Sequence, residues 1–314
     1  MTLLSTAEAS NFSVERSQHV AATTDGRLLT YHIERRADAA ALPILIVIDG
    51  SGCVGALRSG FSQLMAPANN PELSYARLVV SKSGVPDDQE RGASCSDEYK
   101  QHYAMDKRVI DHMRVLQDIR STLSWWDGRL LIFGWSDGGD IAAQLFAYTP
   151  DATRLAFGGV GGGFSMQTHF EDFWICPEGS TDDRAGCLSD LRSQFDEIFQ
   201  NPTWTKSWSG EDNTYMAWES RLRTRLLPLF IQERRPVLMI HGQEDDDGAP
   251  VESARKLVKG VTSTEENQFQ YWEVEGMGHG IWSLDPSEAL LLETNILKWL
   301  LDVDAEPHPR ISVD

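Results

Sequence analysis

Basic residues are scarce. The 314-residue chain sets 28 Lys and Arg against 47 Asp and Glu, a formal net charge of -19. A surface of that sign repels phosphate backbones and anionic headgroups, so neither nucleic acid nor a membrane surface is an expected partner. Cysteine is scarce as well. Cys53, Cys95, Cys176 and Cys187 are too few for a disulfide-built scaffold and form no CxxC pair of the kind that holds zinc. Reduced, buried thiols are the first expectation. Cys176 and Cys187, which enclose a polar loop, are the best candidates for a bridge, and Cys53 with Cys95 is the lesser alternative. No apolar run nears the roughly 20 residues that cross a bilayer, since the longest, 39–48, is broken by Pro43. Residues 1–16 hold no basic residue before Arg16 and no signal-peptide core, so the expected location is cytoplasmic. Repeats and low-complexity tracts are lacking too, and no metal or cofactor is expected.

What is present is an alternation of strand-like and helix-like segments. Residues 20–23 and 28–33 flank Asp25 and Gly26 and read as a hairpin. The runs 44–48, 78–81 and 130–133 are continuously apolar and β-rich, as strands buried on both faces are. Residues 155–159, 237–240 and 269–274 continue the series. Helices are expected over 109–123, with Ile110, Met113, Leu116, Ile119 and Leu123 as its buried stripe, over 141–148, and over 287–301 behind Asp285 and Pro286. Such alternation predicts a mostly parallel sheet covered on both faces.

Residues 162–235 break the rhythm. They lack strand-like runs and are rich in Trp and Phe, including Phe170, Phe173, Trp174, Trp204, Trp208 and Trp218. A helical insertion fits, its aromatics forming either a small core of its own or the inner face of a lid.

One motif carries chemistry. The strand 130–133 runs into Gly134, Trp135, Ser136, Asp137, Gly138 and Gly139, after which a helix begins. A serine on so sharp a strand-to-helix turn is lifted clear of the sheet, and glycines two positions either side let strand and helix approach closely. The following N–H, at the positive end of the helix, faces a developing oxyanion. Two further strands end in matching pieces. Residues 237–240 lead to His241 and the acidic run Glu244, Asp245, Asp246 and Asp247, and 269–274 lead to His279 between Gly278 and Gly280. In the order Ser136, Asp245, His279, the histidine serves as base and the aspartate orients it. Register favours Asp245 as the acid, with Glu244 and Asp246 as substitutes. An early strand ends in Asp49, Gly50, Ser51 and Gly52, whose tight turn offers a second oxyanion N–H, from Ser51 or else Gly52. Three other groups draw blander readings. His241 and His169 read as structural, Cys53 as a poor rival to Ser136, and the acidic run lacks the spacing of a calcium loop.

On these residues the chain resembles the α/β-hydrolase superfamily, over about residues 20–301. The resemblance implies an α/β fold with an eight-stranded, mostly parallel sheet, helices on both faces and a helical cap insertion. It implies a core of 17–161 and 236–302, a cap of 162–235, and flexible termini 1–16 and 303–314. Ser136, Asp245 and His279 would be catalytic, and Ser51 and Asp137 would supply the oxyanion hole. The turn reads Asp-Gly-Ser-Gly where many members carry His-Gly. The expected activity is hydrolysis of a small acyl substrate, a carboxylic ester first and a short peptide or amide second. A non-catalytic binding role is the third possibility. Glycines 134, 138 and 139 around Trp135, Ser136 and Asp137 are also similar to the elbow of biphenyl-hydrolase-like amino-acid ester hydrolases, in which the carboxylate after the serine meets a substrate ammonium. By that likeness Asp137 would favour amines, or else it only complements the helix dipole. More than half of the excess negative charge falls in residues 236–314, which bring Asp245 and His279. A neutral or cationic, partly apolar substrate is therefore expected over a polyanionic one.

Overall fold

The computed structural model describes residues 13–177, 183–210, 212–245, 248–262, 268–304 and 311–313. A single nine-stranded sheet runs through it in the order β1-β2-β4-β3-β5-β6-β7-β8-β9. The N-terminal hairpin pairs β1 (Val14–Ala22) with β2 (Leu28–Arg36), Gly26 taking the left-handed φ of 87° in the turn. The strands β3 (Leu42–Ile48), β4 (Ala76–Val80), β5 (Trp126–Trp135), β6 (Ala152–Gly158), β7 (Val237–Gly242) and β8 (Phe269–Val274) are mutually parallel. A short β9 (Ile311–Val313) adds antiparallel to β8.

Two expectations about the termini are corrected here. Val14, Glu15 and Arg16 belong to β1, and the tail returns to pair with the open edge of β8, whose ladder groups would otherwise face water. Residues 1–12 lie outside the described residues.

The helices are α1 (Gly60–Leu64), α2 (Asp97–His102), α3 (Met105–Thr122), α4 (Asp137–Tyr148), α5 (Met166–His169), α6 (Arg184–Gln200), α7 (Tyr215–Arg223), α8 (Leu227–Phe230), α9 (Val251–Val261) and α10 (Pro286–Leu301). Alternate residues of each central strand feed opposite layers. Ile44, Ile46 and Ile48 pack with α3, α4 and α9, whereas Leu45 and Val47 pack with α1 and α10. Along α3 the buried residues include Met105, Val109, His112, Leu116 and Ile119, while Ile110 and Met113 are exposed. The expected stripe was thus rotated, because Arg108, Asp111 and His112 lie on the buried face and reading for apolar residues passes over them. On α10, Asp285 caps the helix by accepting from the Ser287 N–H.

Between β6 and β7 lie α5, α6, α7 and α8, with a π-helical turn at Phe170–Trp174. This segment has its own core of Phe170, Leu191, Phe195, Ile198, Trp218 and Leu222. Phe170, Trp208 and Trp218 meet edge to face, with centroids 5.0–5.3 Å apart.

The cysteines are paired, Cys53 with Cys95 and Cys176 with Cys187, and none is free. That overturns the expectation of reduced thiols. Cys53 and Cys95 stand far apart in sequence, but the loops after β3 and β4 bring them together at the carboxyl edge of the sheet. No helix among the described residues is long and apolar enough to cross a membrane.

Candidate active site

β5 ends at Trp135 and α4 starts at Asp137, so Ser136 alone makes the turn, at φ 58° and ψ -134°. A left-handed φ on serine is strained and is tolerated only where packing enforces it. The glycines show how that is done. A Cβ on Gly134 would lie 2.0 Å from the Gly138 carbonyl oxygen, and one on Gly138 would lie 2.1 Å from that of Ile48. Only hydrogen fits at either place, so the elbow depends on both glycines.

From Ser136 a chain of hydrogen bonds runs inward. His279 Nε2 lies 3.1 Å from Ser136 Oγ, and His279 Nδ1 lies 3.0 Å from Asp245 Oδ2. The other oxygen of Asp245 accepts from the backbone N–H of Gly248 at 2.8 Å and of Ala249 at 3.3 Å. Burial pushes the Asp245 carboxyl up, but the bond and charge of His279 outweigh it, and the group lies below the usual carboxylate range. Glu244 makes no such contact, and Asp246 lies outside the described residues. His241 Nε2–H donates to the Ala249 carbonyl at 3.1 Å and does not reach Ser136. Fully buried, it is held neutral because burial disfavours the cation.

Two contacts around this chain were invisible in the sequence. The Trp135 indole N–H donates to the His279 carbonyl at 2.6 Å, fixing the histidine loop over the elbow. Buried Lys82, at the end of β4, donates to the carbonyls of Gly50 and Gly52, each at 2.6 Å. It therefore holds the turn around Ser51, which lies beside Gly50, whose Cβ would lie 3.1 Å from that of Ser136. Burial lowers the Lys82 ammonium to about 7. Asp137 is the first residue of α4, so its N–H has no acceptor within the helix.

The Asp137 side chain is committed elsewhere. Its Oδ2 accepts from Arg221 Nε at 2.9 Å, from Arg221 Nη2, and from the Tyr103 hydroxyl at 2.8 Å. The Arg221 guanidinium lies between the rings of Tyr103 and Trp218. The ammonium partner that a likeness to amino-acid ester hydrolases would give Asp137 is thus replaced by a side chain of α7.

Ser51, Ser136 and His279 open onto two cavities. One, of about 260 Å³, reaches under the insertion to Asp140, Phe164, His169, Trp174 and Trp218. The other, of about 350 Å³, is bounded by Arg58, Phe61, Lys82, Arg91 and Trp282. His169 is buried and, by burial, lowered to about 4, so it is neutral near pH 7. Among the described residues one group could in geometry hold a metal, Cys53, Cys95 and Asp212, but its sulfurs are joined in the disulfide. Those atoms are therefore not thiolate ligands.

A serine hydrogen-bonded to a half-buried imidazole, itself held by a buried carboxylate, has the groups needed for nucleophilic attack on an acyl carbon. No family model matches this sequence, and no curated protein matches it. Solved structures match in fold. Est1E from Butyrivibrio proteoclasticus, in its structure with ferulic acid bound, superposes with a TM-score of 0.62 at 16% identity, over 90% of this chain and 98% of its own. An acylaminoacyl peptidase of Pyrococcus horikoshii gives 0.61 at 13% identity, over 94% of this chain and 42% of its own. The mouse alpha/beta hydrolase domain-containing protein 10 gives 0.59 at 13% identity, over 91% and 98%. At these identities the likeness is one of fold, and the fold is that of the α/β hydrolases.

Proposed function

We propose that this chain is a serine hydrolase that cleaves a carboxylic ester, or a related acyl bond, of a small, neutral or cationic, partly apolar substrate. The observation that carries the reading is the unbroken hydrogen-bond chain from Ser136 through His279 to Asp245. His279 Nε2 takes the Ser136 proton as Oγ attacks the carbonyl carbon, and Asp245 holds the opposite Nδ1–H and stabilises the imidazolium. The oxyanion then faces the N–H groups of Asp137 and Ser51. His279 returns the proton to the leaving group, and water repeats the sequence on the acyl-enzyme. The segment 162–235 serves as a cap, since Phe164, Trp174 and Trp218 form apolar walls of the cavity beside Ser136.

Peptidase activity on short peptides is the second reading, supported by the fold likeness to an acylaminoacyl peptidase. The two disulfides weigh against a cytoplasmic location, because such bonds persist in oxidising surroundings. The test is a turnover panel of short-chain and aromatic esters, acyl-CoA thioesters and aminoacyl anilides, run on the wild type and on His279→Ala. The expected result is ester turnover that falls by several orders of magnitude in the variant, since such groups act as a unit. Preferential anilide cleavage would favour the peptidase, and efficient, salt-insensitive acyl-CoA hydrolysis would contradict the charge preference.

A further inference from the structure

Asp140 is the buried carboxyl that the chemistry above does not use. It lies four residues after Ser136, one turn along α4 and so on the same face. The residue is 8% exposed and lines the cavity under the insertion together with Ser136. Among the described residues its carboxyl has no hydrogen-bond or ion-pair partner, the bonds at this residue being those of its backbone, from its N–H to the Ser136 carbonyl and from the Gln144 side chain to its own carbonyl. The charges around it do not cancel. Asp137 on its own helix and Arg221 from α7 are the charged groups that act on it, and Arg221 is spent on Asp137 and on the Asn213 side chain. His279 and neutral His169 border the same cavity. One guanidinium thus serves two carboxyls, and the surplus one faces the space that a substrate must enter.

Resting on the hydrolase reading, we propose that Asp140 anchors a protonated amine of the substrate, placing a cationic group in the cavity under the insertion while the acyl carbon lies at Ser136. Leaving a buried carboxyl unpaired is costly, and an ammonium removes that cost where a neutral alkyl group adds to it. The aromatic walls of Phe164, Trp174 and Trp218 suit the methylenes that carry the amine. Burial first and Asp137 second push the Asp140 carboxyl up to about 8, Arg221 opposing them. An ammonium favours the ionised form, so binding releases a proton below that pH.

The experiment uses matched esters in which an ammonium replaces a methyl group. On the acyl side these are benzyl esters of β-alanine and 4-aminobutyrate against those of butyrate and pentanoate. On the alcohol side they are aminoalkyl against alkyl butyrates. The expected result is a kcat/KM preference for the amine of about tenfold or more in one series, the size of a charged hydrogen bond. That preference should rise from about pH 6 to about pH 8 as Asp140 ionises, and Asp140→Asn should bring it close to unity. Because the readout is a ratio within one enzyme, a loss of folded protein in the variant does not mimic the effect, and the wild-type pH profile stands without the variant. Turnover of neutral esters with no amine preference in either series, or a preference that Asp140→Asn retains, would overturn the anchor while leaving the hydrolase reading intact. Absence of turnover together with absence of Ser136 labelling by a fluorophosphonate would overturn both.

Discussion

Arg221 donates two hydrogen bonds to a single oxygen of Asp137, tying helix α7 to the residue that follows Ser136. Both partners are buried, and Tyr103 adds a third bond to the same oxygen. The pair joins the roof of the cavity to its floor and leaves the backbone N–H of Asp137 at the helix start.

Breaking that pair from one side strands a buried charge. Arg221→Ala should destabilise the protein by about 3–5 kcal/mol, read from urea denaturation. Joint replacement with Asp137→Asn should recover part of the loss, because the orphaned charge is then gone. A loss under about 1 kcal/mol in the single variant would show that the bridge behaves like a solvated surface pair.

Gly248 is a precise steric probe of the histidine. A Cβ there would lie 1.6 Å from His279 Nδ1, so Gly248→Ala must push the ring off its bonds to Asp245 and Ser136. Turnover should fall about a hundredfold or more, as small misplacements of reacting groups do. The thermal midpoint should change little, the site being at a loop. Wild-type turnover in this variant would mean that His279 acts from another position.

Lys82 acts through the turn that it holds. Lys82→Met keeps the length and apolar bulk but removes both donors to the carbonyls of Gly50 and Gly52. The expected outcome is a drop in kcat of roughly 10- to 100-fold with KM nearly unchanged, as for partial loss of oxyanion stabilisation. A change confined to KM would place Lys82 in substrate binding instead.

Far from the site, Glu293 on α10 is buried and accepts from Asn70. Burial pushes it up to about 7, with the Asn70 bond opposing. The folded protein thus keeps a proton that the unfolded chain releases, and this contribution to stability, full below the ordinary glutamate pKa, is lost as pH rises through about 7. Glu293→Gln should match the wild type near pH 4 and exceed it by about 3 kcal/mol near pH 9. Parallel stability curves across that range would contradict the assignment.

The sheet and elbow were legible because they rest on local signals. Unbroken apolar runs marked β3, β4 and β5, and the glycines around Ser136 announced a turn that only glycine allows. Ser136, Asp245 and His279 stood out as candidates because each follows a strand, and the fold brings the three within hydrogen-bond distance. The rest depends on partners distant in sequence. Arg221 on Asp137, Lys82 on the carbonyls of Gly50 and Gly52, and Trp135 on the His279 carbonyl leave no local pattern. The stripe of α3 was misjudged because charged residues occupy its buried face, and the ninth strand because its few residues gain structure only against β8. Both cysteine pairs were named as possible bridges, yet reduced thiols came first, since pairing depends on where loops meet.

The central claim is that Ser136 is a nucleophile activated by His279. Labelling with a fluorophosphonate followed by peptide mass analysis tests it directly. The account predicts a single adduct on the peptide containing Ser136 in the wild type, sharply slowed in His279→Ala and absent in Ser136→Ala. A folded wild type that takes no label, or a label that persists in Ser136→Ala, would contradict it.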